Sequence, residues 1–241
     1  MKIDLMNIDK FIEVNNVQEV TNPIYFNKGS DPTDDGLFSY SIFGRTGSPE
    51  RKSTYGYISL RDYFLHPLVY KNLIFLNRKF EECINGFSYF TISADGDLVP
   101  SNEDEGKTGI KFLYKNWDKL SFKSSDSNKR DERIDFFKSI KKSEAFINKY
   151  LVCPAFYRDK SVSGGSTKVD TVNDLYSRLI RLAMALDTND NTDIELVTNT
   201  TRANIQNTLQ EIFDYFIGMT KSKTGIFRQA IMGRFAHNKI F

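Results

Sequence analysis

The residues best suited to chemistry lie in the stretch 221–241, which reads KSKTGIFRQAIMGRFAHNKIF. This stretch contains five Lys or Arg residues, and no Asp or Glu follows Asp214. Cationic side chains in an acid-free segment suit a polyphosphate backbone, because each phosphate that they neutralise releases condensed counterions. The alternative is a charged surface that contacts only solvent. Four cations are predicted to contact nucleic-acid phosphates: Lys221, Lys223, Arg228 and Arg234.

A second candidate is the carboxylate pair Asp95 and Asp97 in the run SADGDL. Two carboxylates at positions i and i+2 can share a divalent cation. Asp-Gly after a strand-like run is, however, the usual signal of a hairpin turn, which is the interpretation we favour. The alternative is a small metal-dependent phosphoesterase, which would need further carboxylates or histidines near the pair.

The histidines and cysteines form no recognisable ligand pattern. His66 and His237 are far apart in sequence, as are Cys83 and Cys153, and the chain has no C-x-x-C pair. This argues against a disulfide framework or a cysteine zinc site and indicates a reducing cytoplasm. We expect His66 to be a hydrogen-bonding structural residue.

The composition indicates a globular chain whose charge distribution matters more than its total charge. With 241 residues, 40% hydrophobic and 14% aromatic, the chain can bury a substantial core. A formal net charge of +2 does not by itself mark a nucleic-acid binder. No apolar run reaches membrane-spanning length, and acidic residues interrupt the first ten residues, unlike a signal peptide.

The elements that must position these residues are predicted to be of the α+β class. In chain order, the patterns predict an irregular docking segment over 1–20, a strand over 57–60, a helix over 67–80, a strand over 87–92 with a turn at 95–96, an exposed loop over 121–133 and a helix over 133–150.

Two amphipathic helices give the clearest architectural signal. Thr171 and Asp174 have capping-box spacing, and the apolar residues that follow, up to Leu186, share one helix face. The pattern returns over 205–216 after a polar connector at 187–199, which predicts a helical hairpin. Its apolar stripes serve either the core or a partner.

The basic stretch resembles a segment of one protein family. The pattern K-x-K-x-G-x-F-R-Q-x-x-x-G-R over 221–234 is similar to the part of the β′ (largest) subunit of multi-subunit RNA polymerases that passes beside the template strand. Earlier runs resemble, in the family's order, its N-terminal signature, its G-x-I-x-L segment with a following histidine, its proline motif, its lid loop and the start of its clamp helices. These runs are DGLFSYSIFG at 35–44, GYISL at 56–60 with HP at 66–67, VCPAFYR at 152–158, SGGS at 163–166 and DTVNDLY at 170–176. Residues 101–149 match poorly.

The departures from the family are informative. Between Gly44 and Gly56 the family carries four zinc-binding cysteines, and this chain carries none. Little room remains for the family's rudder loop between Tyr215 and Lys221. The family's magnesium-binding aspartates follow the basic segment, so we expect them on a separate chain. A zinc-free, divided β′ is similar to the split polymerases of phiKZ-related giant bacteriophages.

The resemblance implies an irregular mixed clamp-like region with a projecting antiparallel helical hairpin. The implied domains are a clamp core without its zinc ribbon over 1–158, a lid-like loop over 159–170, the clamp hairpin over 171–220 and a template-contacting switch-like segment over 221–241. The residues implied for the lid are Ser163, Gly164, Gly165 and Lys168. Those implied for docking a promoter-specificity factor are Asn173, Arg178, Arg181 and Arg202.

The implied function is that of an N-terminal β′ fragment in a phage DNA-directed RNA polymerase that transcribes phage genes. As a subunit of this nucleotidyltransferase, the chain would hold no catalytic residue, metal or cofactor of its own, and Mg²⁺ would belong to the assembled enzyme. The expected partners are the other split β and β′ subunits, a specificity factor, template DNA and the RNA product, with no membrane. The expected location is the cytoplasm of an infected bacterial host, with the virion as an alternative. The other interpretation is a non-enzymatic polymerase mimic that sequesters a transcription factor.

Overall fold

The structure of the protein is a computed structural model that describes residues 5–28, 31–163, 166–189 and 195–221. These residues form both helices and strands, as expected for the α+β class. The α-helices are α1 (Ile8–Asn15), α2 (Tyr40–Phe43), α3 (Glu50–Ser53), α4 (Pro67–Leu76), α5 (Lys79–Ile84), α6 (Ile110–Asn116), α7 (Asn128–Ser139), α8 (Lys142–Ala145), α9 (Thr171–Asn189) and α10 (Glu195–Lys221). Short 3-10 helices follow at Trp117–Lys119 and Ala155–Arg158.

Within the described residues, the strands form three small sheets. They are β1 (Gln18–Glu19), β2 (Gly56–Leu65), β3 (Tyr89–Ile92), β4 (Leu98–Ser101), β5 (Phe146–Val152), β6 (Ser161–Ser163) and β7 (Ser166–Lys168). The largest sheet has the order β1-β2-β5, and β1 runs parallel to β2 with Gln18 opposite Gly56. β3 and β4 form one antiparallel pair, and β6 and β7 form another. Among the described residues, no helix is both long and apolar enough to cross a membrane.

The described residues fall into two compact units, each drawn from three stretches of chain. The first unit comes from Met1–Ile8, Leu60–Asn148 and Leu182–Asn207. Its core includes the buried face of α4, which begins with Pro67 at the first helical position and His66 as the N-cap. Gln206 of α10 donates to the Leu65 carbonyl at 3.1 Å and accepts from the Leu65 N–H at 2.9 Å. This side chain therefore satisfies both backbone groups at the end of β2.

The second unit comes from Asp9–Ser59, Lys149–Arg181 and Thr208–Phe241. Its core combines the apolar residues of the 35–44 run with the first half of α9 and the later part of α10. The largest contributors are fully buried: Leu37, Phe38, Phe43, Tyr176, Leu179, Leu209 and Ile212.

Several sequence predictions are confirmed and others are wrong. The strand at 57–60, the helix start at Pro67, the turn at 95–96 and the helix start at Thr171 are all present. The predicted helix over 133–150 is interrupted after Ser139, continues as the short α8 and is wrong from Phe146, where β5 begins. Residues 128–133, predicted as loop, already belong to α7. The first twenty residues, predicted as irregular, contain α1 and β1.

The long helices also differ in detail from the prediction. Asp170, rather than Thr171, supplies the capping carboxylate of α9, because its Oδ1 accepts from the Val172 N–H at 3.0 Å. Thr171 is consequently the first helical residue. α9 continues to Asn189 and α10 begins at Glu195, so both helices enter the predicted connector.

Candidate functional site

The second unit is organised around a buried arginine. Arg158 is 1% exposed, its Nε donates to the Cys153 carbonyl at 2.8 Å, and its Nη1 donates to Asn173 Oδ1 at 2.8 Å. Its guanidinium carbon lies 4.6 Å from the centroid of the Phe43 ring and 5.9 Å from that of Tyr176. Burial lowers the pKa of Arg158 from its ordinary value. Ring faces and polar oxygens therefore stabilise a cation that water does not solvate.

Asn173 completes the arginine's setting from α9. Its Nδ2 donates to the carbonyl oxygens of Arg158 at 2.9 Å and of Asp170 at 3.0 Å. Asn173 is itself 0% exposed. One amide side chain thus joins the 3-10 turn that carries Arg158 to the first turn of α9, with every partner inside the unit.

A second buried arginine extends the cluster. Arg51 of α3 is 3% exposed and binds both carboxylate oxygens of Asp159, at 2.9 and 3.0 Å. Its Nη1 donates to the Gly44 carbonyl at 2.9 Å. The planar guanidinium suits this bidentate contact in a way that a lysine ammonium does not. Arg51 therefore ties the end of the 35–44 run to the residue directly after Arg158.

The 35–44 run is held at its start by a carboxylate. Asp35 Oδ2 accepts from Thr21 Oγ1 at 2.8 Å and Oδ1 accepts from Asn22 Nδ2 at 3.2 Å, and these hydrogen bonds lower the pKa of Asp35. The next residue has no room for a side chain. A Cβ on Gly36 would lie 1.9 Å from Thr33 Oγ1 and 2.9 Å from a backbone carbonyl oxygen. The Asp-Gly pair is thus fixed by local packing.

Three runs converge at Arg158, and one of them, 35–44, is distant in sequence from the other two. The 35–44 run contributes ring faces, the 152–158 run contributes Arg158 itself, and the 170–176 run contributes Asn173 and Tyr176. We call this set, Phe38, Phe43, Arg158, Asn173 and Tyr176, the arginine centre. It holds the three runs in one fixed arrangement and exposes little polar surface for chemistry.

Of the four predicted partner-binding residues, two are buried and two are exposed. Asn173 and Arg202 are buried, and Arg202 Nε donates to Asp62 Oδ2 at 2.7 Å within the first unit. Arg178 and Arg181 lie on the exposed face of α9, and Arg178 forms an ion pair with Glu211 of α10. A partner can therefore reach Arg178 and Arg181, whereas the side chains of Asn173 and Arg202 make their contacts within the protein.

The remaining predicted residues lie at or beyond the limits of the described chain. Lys168 is exposed at the end of β7, and Ser163 ends β6. Gly164 and Gly165 are outside the described residues. α10 ends at Lys221, whose side chain is not described. The other predicted phosphate contacts also lie outside the described residues: Lys223, Arg228 and Arg234.

The carboxylate pair occupies the turn between β3 and β4, as predicted. Gly96 has φ +82°, and Lys123 Nζ lies 3.3 Å from Asp95 Oδ2 and 3.6 Å from Asp97 Oδ2. A lysine ammonium thus contacts both carboxylates. Within the described part of the chain, no three His, Cys, Asp or Glu residues are grouped to hold a metal ion.

His66 has the structural role that its sequence setting predicts. Its Nδ1 accepts from the Leu68 N–H at 3.2 Å and caps α4. Burial lowers the pKa of His66 to about 4. The imidazole is therefore neutral at neutral pH, which leaves Nδ1 able to accept this hydrogen bond.

The sequence does not identify Arg51 or Arg158 as buried residues. The local signal at Arg158 is an arginine between an aromatic residue and an aspartate, as in AFYRD, whereas Arg51 lies between Glu50 and Lys52 and has no such signal. Burial depends on residues far along the chain, which this signal does not identify. No family model and no curated protein matches the sequence of this chain.

Proposed function

We propose that the chain is a β′-type subunit of a phage multi-subunit DNA-directed RNA polymerase. The observation that carries the proposal is the arginine centre. Runs chosen from the sequence for their resemblance to β′ motifs meet at one guanidinium, and the first of them, 35–44, lies more than a hundred residues before the other two. Shared packing of this kind is expected when the runs form one functional framework, and unrelated chance matches do not require it.

The two long helices supply further support. α9 has 19 residues and α10 has 27, so they are about 28 and 40 Å long at 1.5 Å per residue. We propose that they form the antiparallel hairpin of the clamp, with Arg178 and Glu211 paired across it. The exposed Arg178 and Arg181 would then contact a promoter-specificity factor through acidic groups.

Apolar side chains on both sides of residues 190–194 favour docking at the hairpin's tip. Met184 of α9 is 52% exposed and Val197 of α10 is 43% exposed, both in the first unit. Apolar side chains exposed singly are common on protein surfaces, so these two would add apolar contact area to the proposed docking site without defining it. In this proposal, the basic segment 221–234 contacts template phosphates, and the magnesium-binding aspartates come from another chain.

The test is RNA synthesis by the complex that assembles on this chain. A tagged chain would be purified with its native partners and supplied with gapped DNA, four nucleoside triphosphates and Mg²⁺. We expect template-dependent RNA from the complex and none from the isolated chain. A complex that contains a specificity factor but synthesises no RNA would refute the proposal and favour the polymerase mimic.

Variants assign the roles within that complex. Replacing Lys221, Lys223, Arg228 and Arg234 by Ser should weaken DNA binding for all sequences. The slope of log affinity against log salt should fall by up to about 0.9 per lost contact on duplex DNA and about 0.7 on single strands. An unchanged slope would show that these cations contact only solvent.

The paired variant Asp95→Ala with Asp97→Ala is the matched control for catalysis. Since both carboxylates contact Lys123 in a surface turn, their loss should leave RNA synthesis nearly intact. Abolished synthesis by a variant that still folds and assembles would place the active site of RNA synthesis at this pair and contradict the argument from the order of motifs in the family.

A further inference from the structure

A pair of stacked tyrosines lies on the surface of the first unit. The ring centroids of Tyr63 in β2 and Tyr114 in α6 are 5.0 Å apart, and the ring planes are 17° from parallel. Tyr63 is 44% exposed, and Lys142 Nζ lies 4.1 Å from the Tyr114 centroid. We call these three residues the tyrosine stack. Tyr114 and Lys142 belong to the segment 101–149, so the resemblance to β′ does not imply this surface.

The tyrosine stack rests on a firm aromatic base. The Tyr114 ring meets the Phe146 ring edge to face at 4.9 Å, and Phe146 meets Trp117 at 5.1 Å. Phe146 and Trp117 are 3% and 4% exposed, respectively. Edge-to-face packing against buried rings fixes the plane of Tyr114 and, through the stack, that of Tyr63. The exposed ring is therefore oriented before any ligand arrives.

The charges beside the rings are positive in excess. Asp62 precedes Tyr63 in the chain. Its Oδ2 accepts a hydrogen bond from Arg202 Nε at 2.7 Å and lies 3.6 Å from Lys111 Nζ. Arg202 is buried, whereas the Lys111 side chain is 48% exposed. Two cations thus share one carboxylate, and the cation nearer to solvent is Lys111. Two ammonium groups therefore lie near the tyrosine stack: that of Lys111 contacts the carboxylate next to Tyr63 in sequence, and that of Lys142 lies over the Tyr114 ring.

A flat exposed ring with cations beside it fits a splayed nucleobase and its phosphates. Every base presents a π-face that can stack on tyrosine, and lysines neutralise the linking phosphates. A duplex keeps its base faces covered by their neighbours, so it cannot use the ring. An apolar peptide would gain from the ring but would have to desolvate the ammonium groups without compensation.

We propose that the tyrosine stack binds single-stranded RNA. The choice of RNA over single-stranded DNA rests on the proposed function, because the transcript is the single strand that a polymerase releases. One base stacks on the exposed face of Tyr63, while Lys111 and Lys142 contact the flanking phosphates. The contacts carry no base-edge recognition, so binding is independent of sequence.

The test is fluorescence anisotropy of a labelled, unstructured twelve-nucleotide RNA with the full chain. Tyr63→Ala should weaken binding by about 5- to 150-fold, the effect of losing one base–aromatic stack. Tyr63→Phe keeps the ring and should stay within about twofold of the unmodified chain. Lys142→Ser should lower the salt slope by about 0.7. Tyr40→Ala is the matched control, because Tyr40 is also 44% exposed but lies in the other unit.

The basic segment is the same in every tyrosine variant, so its contribution to the RNA affinity cancels when the variants are compared. Equal affinities of Tyr63→Ala and Tyr40→Ala for the single strand would overturn the proposal, as would a loss of duplex RNA binding in Tyr63→Ala as large as its loss of single-strand binding. A DNA strand of the same sequence bound tenfold tighter would overturn the assignment to RNA. A complex that synthesises RNA normally while Tyr63→Ala binds unchanged would refute only this inference. RNA binding through Tyr63 in a complex without synthesis would refute the proposed function and retain the binding surface.

Discussion

Replacing Asn173 by Ala should strongly destabilise the second unit. The change removes one hydrogen bond from the Arg158 guanidinium at 2.8 Å and two bonds to backbone carbonyls, at 2.9 and 3.0 Å. A bond to a charged group contributes about 2 kcal/mol and a neutral bond about 1 kcal/mol, so the expected loss in the free energy of unfolding is about 4 kcal/mol. Part of this loss arises because the buried cation keeps its desolvation cost while losing an acceptor.

Urea unfolding followed by far-ultraviolet circular dichroism measures the loss. For an m value of about 3 kcal/mol/M, the midpoint should fall by about 1.3 M. Asn128→Ala is the matched control, because Asn128 is an exposed helical asparagine at the start of α7, and it should change the stability by less than about 0.5 kcal/mol. If Asn173→Ala cost less than about 1 kcal/mol, Asn173 would behave as a surface residue, and the reasoning from the arginine centre would fail.

Three further changes test the first unit and the surface turns. The pKa of His66 is about 4 in the folded protein and about 6.5 when unfolded, so the unfolded chain takes up its proton first as the pH falls. His66 should therefore leave the free energy of unfolding unchanged above about pH 6.5 and lower it by about 3 kcal/mol in total as the pH falls towards 4. The His66→Asn variant should lack this pH dependence when its urea unfolding is measured across the same range. Gln206→Leu leaves both Leu65 backbone groups without their partner and should lower the free energy of unfolding by about 4 kcal/mol. Gln206→Glu keeps the acceptor but not the donor, so its loss should be intermediate. Hydrogen exchange of the Leu65 amide measures the effect directly. Gly96→Ala should cost about 2 kcal/mol, because φ is +82° and a Cβ would lie 2.5 Å from a carbonyl oxygen. Thermal melting should show a smaller loss for Gly47→Ala, where φ is +89° but nothing lies within 4 Å; equal losses would contradict the steric argument.

The sequence predicts elements that depend on nearby residues. A proline at the first turn of α4, Asp-Gly between two short strands, and acidic and Thr residues before an apolar stripe all act over a few positions. Each of these features is present in the structure. The capping-box spacing predicts the N-cap of α9 at Thr171, one residue too late, because Asp170 and Thr171 both suit an N-cap and only the backbone path distinguishes them.

The sequence does not predict elements that depend on distant partners. Phe146–Val152 has apolar residues that suit a helix as well as a strand, and its place beside β2 in the sheet decides for the strand. The arginine centre likewise depends on partners from other parts of the chain. Arginine is usually a surface residue, but in the fold Phe43 and Asn173, from two other parts of the chain, surround Arg158. Arg202, for which the resemblance implies docking of a partner, is likewise buried beside Asp62, which lies 140 positions earlier in the chain.

The pairing of Gln206 with Leu65 also has a consequence for synthesis on the ribosome. The two residues are 141 positions apart. At about 5–20 residues per second, the end of β2 waits roughly 7–28 s for the side chain that pairs its backbone. During this interval a nascent strand end with unpaired N–H and C=O groups is exposed to chaperones and to other chains. Slower translation over α10 would lengthen that exposure, so codon choice late in the gene should affect how much of the chain folds correctly.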